Sequence, residues 1–200
     1  MAGHLQKAGH SLHVFNRTRE KAAALVEAGA TWHDSAGAAA AQADVVITML
    51  GFPSDVEASY LGAGGIVERA RAGALLIDMT TSSPVLARRI SDAATGRGLA
   101  PLDAPVSGGD LGAREARLVI MVGGEAAAFA RARPLFEIMG KNITLVGEVG
   151  DGQYRAALVE PARTPEHGLQ ACEQLLEAER LGDVVVGARA QAGDPVAGVA

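Results

Sequence analysis

Short apolar runs alternate along this chain with longer stretches of helical period, which predicts a mostly parallel sheet covered by helices. Residues 11–15 read as a first β-rich run. A helix over 18–28 follows, with Thr18 as its N-cap and Gly29 as its stop. Residues 44–50 (DVVITML) and 74–79 (ALLIDM) are uninterrupted apolar runs, as strands buried on both faces require. Ser54 and Glu57 have capping-box spacing for a helix after the first of them. Ser83 and Pro84 open another as N-cap and first turn, running toward Gly96. Residues 99–106, 118–122 and 143–146 read as further strands. Residues 125–139 form the helix between the last two, with Pro134 expected to kink or divide it. The alanine-rich stretch 36–43 reads as a short helix.

The two ends depart from this rhythm. A doubly wound domain normally begins with a strand, yet residues 1–9 (MAGHLQKAG) read as the back half of a helix. The pattern changes again from Gly150. Residues 165–182 have the period of an amphipathic helix, with Thr164 as its cap. Residues 183–200 are small, Gly- and Ala-rich, and offer little to pack. The expected organisation is a nucleotide-type domain over 1–153 and a divergent tail over 154–200, partial or irregular in its helices. No internal repeat interrupts it.

Composition narrows the field. Two hundred residues, 48% of them hydrophobic and 20% charged, suit one core or one domain with part of a second. A net charge of −5 opposes any general affinity for nucleic acid. The single cysteine, Cys172, cannot form an internal disulfide, so nothing calls for an oxidising compartment. No window approaches a membrane span, and residues 1–10 lack the apolar core of a signal peptide. A cytoplasmic protein is the expectation. His4, His10, His13, His33 and His167 show no metal-ligand spacing. Glu173, Glu177 and Glu179 read as a solvated helix face.

Three segments carry candidate chemistry. Asn16-Arg17-Thr18 ends an early strand, where a dinucleotide fold meets the adenosine ribose. An acidic residue there would bind both ribose hydroxyls. Arg17 instead offers a planar fork, Thr18 a hydroxyl and amide, and Lys21 a further charge, a set that favours a 2′-phosphate. The same residues also fit a capped helix start with solvated basic side chains. Residues 49–54 (MLGFPS) and 78–83 (DMTTSS) each follow a buried strand, where open α/β sheets hold ligands. Their amides and the hydroxyls of Thr80 and Thr81 suit a nicotinamide ring, although Thr and Ser are also commonplace turn residues. Residues 102–112 (LDAPVSGGDLG) place Ser107, Gly108 and Gly109 in a turn free of obstructing side chains. That suits a small carboxylate, or is a plain glycine-rich turn.

Taken in order, MAGHLQKAGH, VFNRT, DVVITML, LIDMTTSSP, LDAPVSGGDLGA, IMVGG and LVGEVGDGQ resemble the β-hydroxyacid dehydrogenase family over residues 1–153. That family includes 3-hydroxyisobutyrate dehydrogenase and tartronate semialdehyde reductase. The resemblance implies a Rossmann-type, doubly wound α/β domain joined by a long helix to an all-helical domain. It implies reversible oxidation of a small β-hydroxyacid, and homo-oligomers. Met49 and Leu50 would line the cofactor site, Thr80 would lie near the nicotinamide, and Ser107, Gly108 and Gly109 would hold the carboxylate. The Asn16-Arg17-Thr18 turn resembles the NADP-preferring branch, similar to the glyoxylate and succinic semialdehyde reductases, with NAD as the alternative cofactor.

Two departures stand against that resemblance. The family's first strand and its G-x-G-x-x-G turn precede the segment matching Met1, and neither occurs here. Their loss removes an amide cradle for pyrophosphate and is expected to expose apolar sheet edges. The family's catalytic lysine follows in a G-x-x-x-K pattern, yet counting from Gly152 reaches Ala156. The asparagine after it is replaced as well, by Glu160, and Pro161 would break the helix. Arg155 is the nearest cation, but a guanidinium stays protonated near neutral pH. A late start codon and an altered frame after Gln153 would account for both departures. The expected function is hydride transfer between NADP and a small acid, impaired in this chain. The alternative is a non-catalytic dinucleotide-binding or interaction module.

Overall fold

The apolar runs around Ile47 and Ile77 become adjacent parallel strands at the centre of one sheet, β3 (Val45–Met49) and β4 (Leu75–Asp78). Their side chains alternate between two cores. Val45, Ile47, Leu75 and Ile77 belong to one hydrophobic cluster, while Val46 and Leu76 belong to another on the opposite face. Both faces are therefore covered, which is why the runs are apolar without alternation. The computed structural model describes residues 1–159 and 184–189.

In chain order the elements are α1 (Ala2–Lys7), β1 (Ser11–Asn16), a 3₁₀ turn (Arg19–Ala22), α2 (Ala23–Glu27), β2 (Thr31–Trp32), α3 (Ala36–Ala40), β3, α4 (Pro53–Leu61), α5 (Ile66–Arg69) and β4. Then follow α6 (Pro84–Thr95), β5 (Ala100–Asp103), β6 (Val106–Ser107), α7 (Gly109–Arg114), β7 (Leu118–Gly124), α8 (Ala126–Met139), β8 (Gly140–Gly147), α9 (Asp151–Val159) and β9 (Val184–Arg189). Among the described residues the sheet runs β2-β1-β9-β3-β4-β5-β7-β6, with β8 paired to β7. It is the expected parallel-dominated α/β sheet, Rossmann-like in kind.

Several local expectations change. The helix over 18–28 divides into the 3₁₀ turn and α2, and Thr18 makes no side-chain cap. Asn16 instead closes a turn ahead of the helix, its Oδ1 accepting the Thr18 amide at 2.7 Å. The Ser54–Glu57 capping box does not form. Pro53 occupies the first turn of α4 and Phe52 the cap, so the helix starts two residues before the box would place it. The predicted strand 99–106 is split by Ala104 and Pro105 into β5 and β6. Pro134 lies inside α8 without dividing it.

The largest correction concerns the tail. Residues 184–189, expected to pack little, form β9, which lies antiparallel between β1 and β3. The sheet edges expected to be exposed are covered by this strand. The helix expected over 165–182 lies outside the described residues.

Candidate functional site

Because β9 is antiparallel to both β1 and β3, those two strands are parallel to each other. Asn16 and Met49 both stand opposite Val184. β4 and β5 continue in the same direction, with Asp78 opposite Asp103. Four strand tips thus share one carboxyl edge. β6 prolongs it: β7 runs antiparallel to β5 and β6, with Asp103 opposite Gly123 and Ser107 opposite Val119. Ser107 therefore lies about 13 Å beyond Asp103 along the same strand direction. Arg17 and Thr80 belong to loops that leave this edge, and Ser107 is the last residue of β6.

The loops are tied together by a buried polar layer. Thr48, 0% exposed in an otherwise apolar strand, donates to Asp78 Oδ1 at 2.9 Å and stands 2.9 Å from the Tyr60 hydroxyl. Since the Thr48 proton is spent on Asp78, Tyr60 donates to Thr48. The Thr80 amide donates to Asp78 at 3.1 Å, and the Thr80 hydroxyl accepts the Leu50 amide at 2.9 Å. Gln153 Nε2 donates to the Thr80 carbonyl and its Oε1 accepts the Ser82 amide, both at 2.7 Å. Asp103 accepts the amides of Gly150 at 2.7 Å and Gln153 at 2.8 Å. One network thus joins β3, β4 and β5 to the start of α9. A cavity of about 10 Å³ beside Tyr60, Asp78 and Asp103 has room for one water and no ligand.

Burial sets the charges of this layer. Desolvation raises the Asp78 carboxyl to about 6, against hydrogen bonds from Thr80 and Thr48 that lower it. Asp103 is raised for the same reason, opposed by the Gly150 and Gln153 amides. Burial also lifts the Tyr60 hydroxyl well above its ordinary range.

The sequence-predicted residues divide by exposure. Asn16, Leu50 and Thr80 are buried and bonded within the protein, so they shape the loops. Met49 is half-buried. Arg17, Thr18 and Lys21 are exposed at the β1 tip, with Arg17 Nη1 3.5 Å from Asp55 Oδ1 at the start of α4. Gly108 and Gly109 are exposed with φ of 129° and 63°, conformations that explain glycine at both positions. Ser107 is half-buried. Two polar atoms near this edge, Ser82 Oγ on the loop after β4 and Asp55 Oδ2 in the first turn of α4, are buried with no hydrogen-bond partner. The sequence reading missed Thr48, Tyr60, Asp78, Asp103 and Gln153. The available signal was a lone polar residue inside or ending an apolar run, repeated in three strands. Ala156, where the resemblance expects lysine, is buried on α9, and Arg155 beside it is exposed. Among the described residues, no cluster of His, Cys, Asp and Glu is placed to hold a metal ion, and no helix is long and apolar enough to cross a membrane.

Known proteins share this fold. The family described as the NAD binding domain of 6-phosphogluconate dehydrogenase matches residues 1–147. A 3-hydroxyisobutyrate dehydrogenase of Pseudomonas aeruginosa is 48% identical over 153 residues, covering 76% of this chain and 51% of that protein. The Mycobacterium tuberculosis 3-hydroxyisobutyrate dehydrogenase, solved with L-serine, superposes with a TM-score of 0.76 at 37% identity, covering 80% of this chain and 54% of that one. A protein named Psf3, solved with NADP+ and 2-OPP, gives 0.75 at 30% identity, covering 80% and 56%. The chain thus spans about half the length of the curated relatives it matches. With the family match over residues 1–147 and these relatives in agreement, the chain belongs to the NAD-binding-domain family of 6-phosphogluconate dehydrogenase, on its β-hydroxyacid dehydrogenase branch.

Proposed function

We propose that this chain is the dinucleotide-binding part of a β-hydroxyacid dehydrogenase, that it takes NADP in preference to NAD, and that it binds cofactor with little or no turnover. The observation that carries the reading is the β1 tip. An exposed arginine, hydroxyl and lysine stand where the adenosine ribose of a dinucleotide fold lies, with no carboxylate among Asn16, Arg17 and Thr18 to repel a phosphate. Arg17 is exposed, and its Nη1 stands 3.5 Å from Asp55 Oδ1, so its guanidinium is within reach of a ligand phosphate at the β1 tip. The unpartnered Ser82 Oγ suits a polar ligand group at the same edge. The Psf3 complex, with NADP+ bound, supports the choice of cofactor.

Bound NADP would supply the hydride acceptor, and NADPH the donor. Arg17, Thr18 and Lys21 would hold the 2′-phosphate, Met49 and Leu50 would flank the cofactor, and the buried network would fix the Thr80 loop against it. Ser107, Gly108 and Gly109 would hold the carboxylate of a small acid. The proton required at the substrate oxygen has no donor at position 156, where a methyl group stands. Loss of general acid–base catalysis alone lowers rate by roughly 10²–10⁴-fold. The absent donor also favours a second reading, a non-catalytic dinucleotide-binding module.

Titration with NADPH and with NADH, followed by nicotinamide fluorescence and then by an assay of semialdehyde reduction, tests this. NADPH is expected to bind more tightly than NADH, without turnover. Arg17→Glu should weaken NADPH by about tenfold or more through loss of a charge-assisted contact, while sparing NADH. Equal affinity for both nucleotides would remove the NADP assignment. Turnover by the unmodified chain would remove the non-catalytic one.

A further inference from the structure

Arg17 and Asp55 come from different strands of the carboxyl edge. Arg17 follows β1, and Asp55 lies in the first turn of α4, which follows β3. The tips of those strands, Asn16 and Met49, both stand opposite Val184. The 3.5 Å contact between Arg17 Nη1 and Asp55 Oδ1 therefore spans the point where strand order reverses, over which a dinucleotide fold lays its cofactor. Arg19, the next cation along, is turned elsewhere, its guanidinium 5.4 Å from the centre of the Trp32 ring on β2. No structural duty accounts for Asp55. Phe52 is the cap residue of α4, and no side chain caps that helix. Among the described residues, Asp55 Oδ2 is buried and accepts no hydrogen bond. With that oxygen enclosed, Oδ1 is the one that faces the β1 tip.

We propose that Asp55 is a specificity-determining residue of the cofactor site: its carboxylate opposes the 2′-phosphate that Arg17 attracts, and so limits the preference for NADP over NAD. The inference rests on the NADP reading above. A phosphate oxygen bonded to Arg17 Nη1 would lie within about 6 Å of Asp55 Oδ1, since that nitrogen is itself 3.5 Å away. A phosphate monoester carries roughly 1.5–2 negative charges near neutral pH. Coulomb's law at that separation in water gives about a tenfold loss of affinity, and less as salt rises. A ribose 2′-hydroxyl carries no charge, so NAD escapes this loss. The rival role, holding Arg17 in position, is the weaker one. The pair is long and the Arg17 side chain is 68% exposed, so the contact orders it little.

Titrations of the full chain and of Asp55→Asn with NADPH and with NADH, at low and at high salt, test this. Asp55→Asn should bind NADPH about three- to tenfold more tightly than the unmodified chain, and NADH within about twofold. The gain for NADPH should shrink at high salt. A merely structural role would move both nucleotides together and ignore salt. Equal shifts, a gain that salt leaves unchanged, or weaker NADPH binding would overturn the inference, while the NADP reading survives if the unmodified chain still prefers NADPH. If the unmodified chain shows no preference and Asp55→Asn creates one, the role of Asp55 stands and the NADP preference falls. If neither protein binds either nucleotide, both fall. Should Asp55→Asn fail to fold, Asp55→Ala is read by the same outcomes.

Discussion

Asp78 ends an apolar strand, accepts hydrogen bonds from Thr48 and Thr80, and is held near pKa 6 by burial, against 3.8 for an ordinary aspartate. Between those values the folded protein keeps a proton that the unfolded chain has released. Stability must therefore fall as pH rises from about 4 to about 6, and level off above. The raised carboxyl of Asp103 acts in the same sense. The Asp78 contribution reaches about 3 kcal/mol. Asp78→Asn keeps the accepting oxygen but cannot ionise, so urea melts across that range should show a flatter pH dependence. An unchanged slope would show that Asp78 is not the titrating group. The exposed Arg17, Thr18 and Lys21 were legible in the sequence because a turn after a strand announces itself locally. Asp78 and Asp103 were not, because their partnership depends on cross-strand register, which hydrophobic pattern does not carry.

At the scale of elements, α9 is seated by close backbone approach. A Cβ on Gly152 would lie 2.5 Å from the Met121 carbonyl and 2.7 Å from Asp103 Oδ2. Gly152→Ala should therefore push α9 off β7 and cost about 1–3 kcal/mol by overpacking, read as a lower urea midpoint. A wild-type midpoint would contradict the packing described. Gln153→Ala should leave that seat intact but free the Thr80–Ser82 loop, seen as faster exchange of the Ser82 amide. Most strands were legible because two-sided burial writes long apolar runs. β9 was not: Val-Val-Val-Gly-Ala-Arg sits in a Gly- and Ala-rich tail, and the strands it pairs with lie far away in sequence. The Ser54 cap misled because Pro53 begins the helix two residues earlier than that cap would.

For the whole molecule, two hydrophobic clusters on opposite faces fix a sheet whose carboxyl edge carries every loop assigned to ligand binding. The central claim is that this edge receives a nicotinamide dinucleotide. Amide chemical-shift mapping with NADP+ tests it most directly. Shifts should concentrate at Arg17 and Thr18, at Leu50 and Gly51, and at Thr80 to Ser82, with the amino edge silent. Saturable shifts that fall on the opposite edge, or on the outer faces of α6 and α8, would contradict it.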